Sequence, residues 1–205
     1  MKKLELYPVE IYEFQSDFKW QWVEEIQKLQ LKETGTGVLN TFPVLHKDPK
    51  FKPILDFIHE SLNKIKLHRN FDCDGFKVSS MWANFYPPGA SQHAHRHANS
   101  YWSGVLYLSG GAPTIFYDPV EKRAHGEWDI FTLPKASVEG FDQNNTIKIE
   151  KIEAEAGKLM IFPSWFVHDT AFSKEDRYSI SFNALPYGKI NSNFMGGEGL
   201  KMDVL

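Results

Sequence analysis

Apolar residues recur with two different spacings along the chain, and the spacing changes near residue 75. Before that point they recur every three or four residues, first over 18–29 and again over 51–65. This is the period of an amphipathic helix, so we expect two N-terminal helices whose apolar faces pack on the rest of the protein. A looser alternation over 6–14, interrupted by Pro8, is typical of an edge strand.

Beyond residue 75 the chain has the pattern of short strands separated by turn residues. Alternating or apolar runs cover residues 76–86, 91–97, 104–109, 113–119, 147–153, 158–162, 167–172 and 178–185. About eight short strands are typical of a sandwich or a jelly roll. We therefore expect a mainly β protein with flanking helices (α+β), folded as a single domain over 1–205. An N-terminal strand and helices (1–75) would precede a β core (76–187) and a tail (188–205).

Composition and charge narrow the range of partners. With 42% hydrophobic and 15% aromatic residues, a chain of 205 residues can bury a substantial core. The net charge of −3 gives no general attraction to nucleic acid or to an anionic membrane. No run approaches the ~18 apolar residues of a membrane span, and no apolar segment of signal-peptide length follows the first residues. A single cysteine, Cys73, excludes an internal disulfide. We expect a soluble cytoplasmic protein.

Histidines dominate the candidate chemistry. His93, His95 and His97 occupy every second position before an apolar run, and a strand would turn all three imidazoles to one face. His168 follows another apolar run over 159–162. We expect His168 to meet the histidine strand across a β-barrel, which would give the three ligands of a facial metal site. An H-x-H pair alone is weak evidence, and a surface cluster with incidental metal affinity is the alternative.

An arginine and a serine follow at alternate positions. Arg177 and Ser179 share one face of the strand 177–185, which contains no acidic residue. A buried arginine needs an anionic partner, because an unpaired buried charge is costly. A ligand carboxylate held by the guanidinium and the Ser179 hydroxyl would provide one. The alternative is a surface arginine paired with Glu175 or Asp176, which the apolar residues on both faces of the strand disfavour.

Together these motifs resemble the Fe(II)/2-oxoglutarate-dependent oxygenases. Within them they are most similar to a family with the pattern W-x-N, H-x-H, S-G-x-x-Y, D-P, F-P-S-W-x-x-H and R-x-S-x-S-F-N. The matching residues are Trp82 and Asn84, His95 and His97, Ser103, Gly104 and Tyr107, Asp118 and Pro119, Phe162 to Trp165 and His168, then Arg177, Ser179, Ser181, Phe182 and Asn183. The match covers residues 78–185, and the occurrence of all the motifs in order makes it specific.

The resemblance implies a double-stranded β-helix, a cupin-like jelly roll with the N-terminal helices packed on its sheet. It implies a catalytic Fe(II) centre, with 2-oxoglutarate bound to the metal and O2 as the oxidant. Oxidative decarboxylation of 2-oxoglutarate would then be coupled to hydroxylation of a substrate. The implied iron ligands are His95, His97 and His168, the implied residues for the distal carboxylate are Arg177 and Ser179, and Asn84 and Tyr86 are further candidates for cosubstrate contact.

One position departs from the superfamily pattern. Most relatives have H-x-D or H-x-E, whereas this chain has His97 at the third position. Either three histidines bind the metal, or His97 lies behind the ligands and a carboxylate comes from elsewhere, with Asp118 the nearest suggestion. We favour His95, His97 and His168, and we place His93 at the mouth of the site.

Two other classes of function remain open from the sequence. One is a cupin-like metalloenzyme without 2-oxoglutarate, either a three-histidine dioxygenase or an isomerase, and the other is a metal-stabilised binding module without turnover. The substrate is expected to be a small molecule or a protein side chain, and neither nucleic acid nor a membrane is expected as a partner. Residues 120–145 contain few strand signals. We expect them to form either a lid over the site or a surface loop without a role in it.

Overall fold

A computed structural model describes residues 8–119, 149–192 and 200–203 of the chain. Within these residues there are two α-helices, α1 (Trp20–Gln27) and α2 (Lys52–Arg69). The strands are β1 (Tyr12–Gln15), β2 (Lys32–Glu33), β3 (Leu39–Asn40), β4 (Gly75–Tyr86), β5 (Gln92–His95), β6 (Trp102–Tyr107), β7 (Thr114–Tyr117), β8 (Ile149–Ile152), β9 (Lys158–Pro163), β10 (His168–Thr170), β11 (Arg177–Ile190) and β12 (Leu200–Met202).

These strands form two sheets. The larger has eight strands in the order β1-β9-β6-β11-β4-β3-β2, with β12 paired to the far part of β11. The smaller has four strands in the order β5-β10-β7-β8. All pairings between these strands are antiparallel. Residues of both sheets line one cavity between them, which is the arrangement of a jelly roll.

The helices cover the outer face of the large sheet. The apolar stripe of α2, which includes Ile54, Ile58 and Leu62, is fully buried in the main hydrophobic core. Asp48 begins this segment by accepting a hydrogen bond from the Lys50 backbone N–H at 2.9 Å. Asn70 ends it in the left-handed conformation, with φ of 51°. The predicted N-terminal helices are therefore present and pack on the sheet.

Alternation along β4 separates this core from the cavity. Met81 and Ala83 point into the helix-covered core, whereas Trp82, Asn84 and Tyr86 line the cavity on the opposite face. The large sheet thus has an apolar outer side that stabilises the fold and a more polar inner side that is available for chemistry.

The structure differs from the sequence prediction in three places. The predicted histidine strand includes His97, but β5 ends at His95, so His97 lies beyond it. Residues 36–45 lack a clear apolar period and gave no strand prediction, yet Leu39–Asn40 form β3 and pair with β4. Helix α1 begins at Trp20 without a side-chain cap hydrogen bond, two residues after the expected start at residue 18. The proposed lid over 120–145 lies outside the described residues. Neither described helix is long and apolar enough to cross a membrane.

Candidate functional site

Three histidines meet where β5, β10 and the segment after β5 converge. His95 and His168 are paired across the antiparallel strands β5 and β10, and their ring centroids are 4.5 Å apart. The His97 ring lies 5.2 Å from His95 and 5.3 Å from His168. One nitrogen of each ring lies within 4.8 Å of the others. Of the described residues, only these three form a group of metal-capable side chains, and Asp118 is not part of it.

Backbone carbonyls fix the orientation of two of these rings. His95 Nδ1 lies 2.7 Å from the His93 carbonyl oxygen, and His168 Nδ1 lies 2.9 Å from that of Phe166. A carbonyl can only accept, so each Nδ1 carries the proton and each Nε2 presents a lone pair to the centre of the cluster. His93 itself is exposed and contributes its carbonyl rather than its ring.

Burial keeps two of the imidazoles neutral. Burial, with a smaller contribution from the neighbouring His95, lowers the pKa of His168 to about 3 and that of His97 to about 4. Both rings are therefore uncharged at neutral pH, and a neutral imidazole has one nitrogen lone pair that can bind a metal ion.

His97 is held by a different set of contacts. Its backbone N–H donates to the Ser164 carbonyl at 2.9 Å, its ring stacks on Trp82 at 5.9 Å, and its ring hydrogen-bonds to the Asn183 side chain. Asn183 accepts from Ser103 Oγ at 2.7 Å and donates to Ser80 Oγ at 3.1 Å. Hydrogen bonds thus fix both the oxygen and the nitrogen of the Asn183 amide. This amide can therefore orient the His97 ring, which lies beyond the end of β5.

Replacing Asn183 with alanine is expected to lower the metal affinity by about 10- to 100-fold, because outer partners that orient ligand histidines typically contribute that much. Co(II) or Ni(II) titration monitored by calorimetry measures the change. Asn63→Ala, on the exposed side of α2, is the matched control and should bind metal like the wild type. An unchanged affinity in Asn183→Ala would contradict the positioning role.

Arg177 lies buried with few partners. Its side chain is 1% exposed, and its Cζ atom lies 4.5 Å from the Tyr86 ring centre and 5.1 Å from that of Tyr107. One guanidinium nitrogen donates to Thr114 Oγ1 at 3.5 Å, whereas Nε and the other terminal nitrogen have no hydrogen-bond partner among the described residues. No carboxylate of the described residues forms an ion pair with it. The site therefore contains a buried positive charge with unused donors.

Asn84 organises the polar wall beside this arginine. Its Nδ2 donates to Ser179 Oγ at 3.3 Å and to Ser181 Oγ at 3.0 Å, and its Oδ1 accepts from Trp82 Nε1 at 2.9 Å. Its amide protons are thus used inside the wall. Because Ser179 Oγ accepts from Asn84, the Ser179 O–H remains able to donate to a ligand.

One cavity of about 270 Å³, here called the inner cavity, connects the two groups. Its lining includes His95, His97, His168, Tyr86, Arg177 and Ser179. Along β4 and β11 the opposed pairs are Arg177 with Tyr86, Ser179 with Asn84, and Ser181 with Trp82. The buried arginine therefore lies at one end of this ladder, and Trp82, which stacks on His97, lies about 13 Å further along it.

The structure brings together every site residue that the sequence singled out: His95, His97, His168, Arg177, Ser179, Asn84 and Tyr86 all line the inner cavity. The sequence did not predict the contacts that two further residues make in the site. Thr114 contacts Arg177 from β7, and Asn183 contacts His97 from β11. Asn183 is part of the matched motif, but its partner lies 86 residues away in the sequence.

The two low histidine pKa values predict how the stability of the metal-free protein varies with pH. Unfolding returns each imidazole to a pKa near 6.5, so below that value the unfolded state binds more protons than the folded state. The free energy of unfolding should fall as the pH drops from 6.5 towards 4, by up to about 1.4 kcal/mol per pH unit for each imidazole. Urea unfolding at several pH values measures this slope. His168→Gln should reduce it, and an equal slope in the variant would contradict the prediction.

The chain matches the model of one protein family and is similar to several solved structures. Residues 80–183, about half of the chain, match the model of a family described as "Putative 2OG-Fe(II) oxygenase". No curated protein matches the chain. HygX from Streptomyces hygroscopicus, solved with nickel and 2-oxoglutarate bound, is 12% identical with a TM-score of 0.62 and covers 96% of this chain and 93% of its own. A Pseudomonas putida prolyl-4-hydroxylase is 16% identical with a TM-score of 0.57 and covers 85% of this chain and 92% of its own.

A third similar structure is the viral collagen prolyl hydroxylase of Paramecium Bursaria Chlorella virus-1, in complex with 2-oxoglutarate. It is 13% identical with a TM-score of 0.53, covering 85% of this chain and 94% of its own. These similarities confirm the double-stranded β-helix. With the family match over the strands that carry the site, they identify the chain as a member of the 2OG-Fe(II) oxygenase family, an oxygenase that depends on Fe(II), 2-oxoglutarate and O2.

Proposed function

We propose that His95, His97 and His168 bind Fe(II) through their Nε2 atoms, and that Arg177 and Ser179 bind the distal carboxylate of 2-oxoglutarate. The observation that carries this proposal is the buried guanidinium with two unpaired nitrogens in the same cavity as three converging imidazoles. Neutral imidazole nitrogens suit Fe(II), and a guanidinium with free donors suits a carboxylate. The residues present therefore fit both groups.

The environment of Arg177 favours a dianionic cosubstrate. The flat guanidinium lies against the rings of Tyr86 and Tyr107, which restrict its rotation and leave its N–H edge free. Ser179 adds a hydroxyl donor, which Asn84 keeps in place. Asn84 therefore acts mainly as a positioning residue, and Tyr86 contributes its ring face to the arginine. If the metal site worked without an acidic cosubstrate, the buried charge of Arg177 would have no anionic partner among the described residues.

Three histidines give the metal ion no negative protein ligand. The positive charge of the ion and that of Arg177 then share one small cavity, and the two carboxylates of 2-oxoglutarate can neutralise both. We expect metal and cosubstrate to increase each other's affinity, since each supplies the charge that the other lacks.

When bound, the metal and cosubstrate would supply the oxidative chemistry with O2: one oxygen atom enters succinate as 2-oxoglutarate loses CO2, and the other hydroxylates a substrate C–H bond. The chain itself orients these groups. The carbonyls of His93 and Phe166 hold two rings, Asn183 holds the third, and the buried wall of the large sheet keeps bulk water from the arginine end. We further propose a cytoplasmic enzyme acting on a small molecule or a protein side chain, with no role for nucleic acid.

Turnover without a prime substrate tests this function. Purified protein supplied with Fe(II), ascorbate and 2-oxoglutarate in air should form succinate slowly, and EDTA should abolish the reaction. Mass spectrometry or a coupled assay measures succinate. If no succinate forms although the folded protein binds both Fe(II) and 2-oxoglutarate, the proposed function is wrong.

A further inference from the structure

We infer that a second depression, the outer groove, binds an extended, uncharged stretch of polypeptide and delivers one of its side chains to the metal site. This inference rests on the proposed function and deepens it by naming the class of substrate. The groove has a volume of about 500 Å³. Its lining includes Lys32, Glu33, Asn40, Phe42, Trp82 and Asn183.

The strand register places this groove on the far side of the histidines from Arg177. The ladder of β4 and β11 runs from Arg177 with Tyr86, past Ser181 with Trp82, to Asn183 with Ser80. Asn183 is six residues beyond Arg177, a distance of about 20 Å along the strand. The cosubstrate end, the metal end and the groove therefore follow one another in a line along the same sheet.

The groove and the inner cavity adjoin each other. Trp82 and Asn40 line both of them. The Trp82 ring stacks on His97, and Asn183, in the groove wall, hydrogen-bonds to the same histidine. A ligand lying over Trp82 would therefore lie beside the ring and the amide that hold His97.

The described lining of the groove does not favour an anionic ligand. Ser80, Trp82 and Asn183, which line it, are all uncharged. Within the described part of the chain, its charged lining residues are Lys32 and Glu33, which have opposite signs and are both exposed. Nucleic acids and phosphate esters are bound by clustered cations, which this groove does not offer. This lining favours a polypeptide that is uncharged where it lies in the groove.

Asn40 provides the strongest indication of a peptide. Asn40 lines both the groove and the inner cavity, and its Oδ1 atom is buried and accepts no hydrogen bond within the described part of the chain. A buried acceptor without a donor is costly, and a ligand N–H would satisfy it. A polypeptide backbone supplies such N–H groups at regular intervals.

Two further features fit a polypeptide. Phe42, which is 61% exposed, and the neighbouring Pro43 form an apolar lip that can pack against side chains of a bound chain. Strand β2 is an edge strand of the large sheet, so the outer edge of Lys32–Glu33 pairs with no other described strand. An edge of this kind can pair with an extended peptide.

A library of short synthetic peptides tests the inference without relying on turnover. The library is passed over immobilised protein loaded with Ni(II) and 2-oxoglutarate, and retained peptides are identified by mass spectrometry. We expect retention of peptides with an uncharged centre and at least about 10-fold weaker retention by Phe42→Ser. Phe172→Ser, which removes a ring that is 73% exposed and lines neither the inner cavity nor the outer groove, is the matched control and should behave like the wild type.

The outcomes separate this inference from the proposed function. Failure to retain peptides, equal retention by Phe42→Ser, or preferential binding to a glycan array would overturn the peptide groove, whatever the succinate assay gives. Retention through Phe42 together with incorporation of one oxygen atom into a neutral side chain would support both. Retention through Phe42 by a protein that never forms succinate would support the groove and contradict the proposed function alone.

Discussion

Replacing Arg177 with alanine is expected to weaken 2-oxoglutarate binding by about 100-fold or more. Removing one partner of a buried, hydrogen-bonded charge pair costs about 3–5 kcal/mol, and 2.7 kcal/mol already corresponds to 100-fold. The side chain is fully buried and has two nitrogens that no described residue pairs, so a ligand carboxylate would be its principal partner. Isothermal titration of 2-oxoglutarate into the Ni(II)-loaded protein measures the loss.

Two comparisons distinguish this effect from damage to the fold. Arg177→Lys should recover only part of the affinity, because an ammonium group lacks the two-pronged geometry of a guanidinium. The ligand-free Arg177→Ala protein should unfold at the same temperature as the wild type or higher, since the substitution removes an unpaired buried charge. An alanine variant that binds 2-oxoglutarate as tightly as the wild type would exclude Arg177 as the carboxylate site.

Replacing His168 with alanine is expected to reduce Fe(II) or Co(II) affinity by more than about 100-fold. Loss of an outer hydrogen-bond partner alone costs up to that much, and loss of a direct ligand should exceed it. His97→Asp should retain more affinity than His97→Ala, because a carboxylate can replace an imidazole among the ligands of Fe(II). Metal titration by calorimetry or by the visible spectrum of Co(II) measures all three variants.

The fourth histidine of this region provides the control. His93→Ala removes an exposed ring but keeps the carbonyl that orients His95, so its metal affinity should equal that of the wild type. Equal loss in His93→Ala and His168→Ala would indicate a diffuse surface cluster rather than a defined three-histidine site.

Local patterns were sufficient to predict the main elements and to single out residues that line the inner cavity. The helical stripe of α2 and the alternation of β4 are set by short-range spacing, and Arg177 was expected to be buried because its strand is apolar on both faces. His168 was singled out because it follows an apolar run, and the resemblance implied the same residue. The double-stranded β-helix is confirmed, whereas the division of residues 1–205 into three parts stays a prediction.

Other features depend on contacts between distant parts of the chain, which one sequence does not reveal. β3 forms because β4 offers a partner to Leu39 and Asn40, not because these two residues favour a strand. His97 lies past the end of β5, yet it joins the cluster because Ser164, Trp82 and Asn183 hold it there. The outer groove likewise depends on the position of β2 and β3 at the edge of the large sheet.

Anaerobic titration of 2-oxoglutarate into the Fe(II)-loaded protein reports whether the histidines and Arg177 hold metal and cosubstrate together, because chelation of the metal by the keto acid gives a visible charge-transfer band. We expect the wild type to develop this band with saturable binding and His168→Ala not to develop it. We also expect Arg177→Ala to need about 100-fold more 2-oxoglutarate to reach the same absorbance. If the wild type binds Fe(II) but develops no band at any 2-oxoglutarate concentration, the histidines and Arg177 do not form a binding site for metal and cosubstrate.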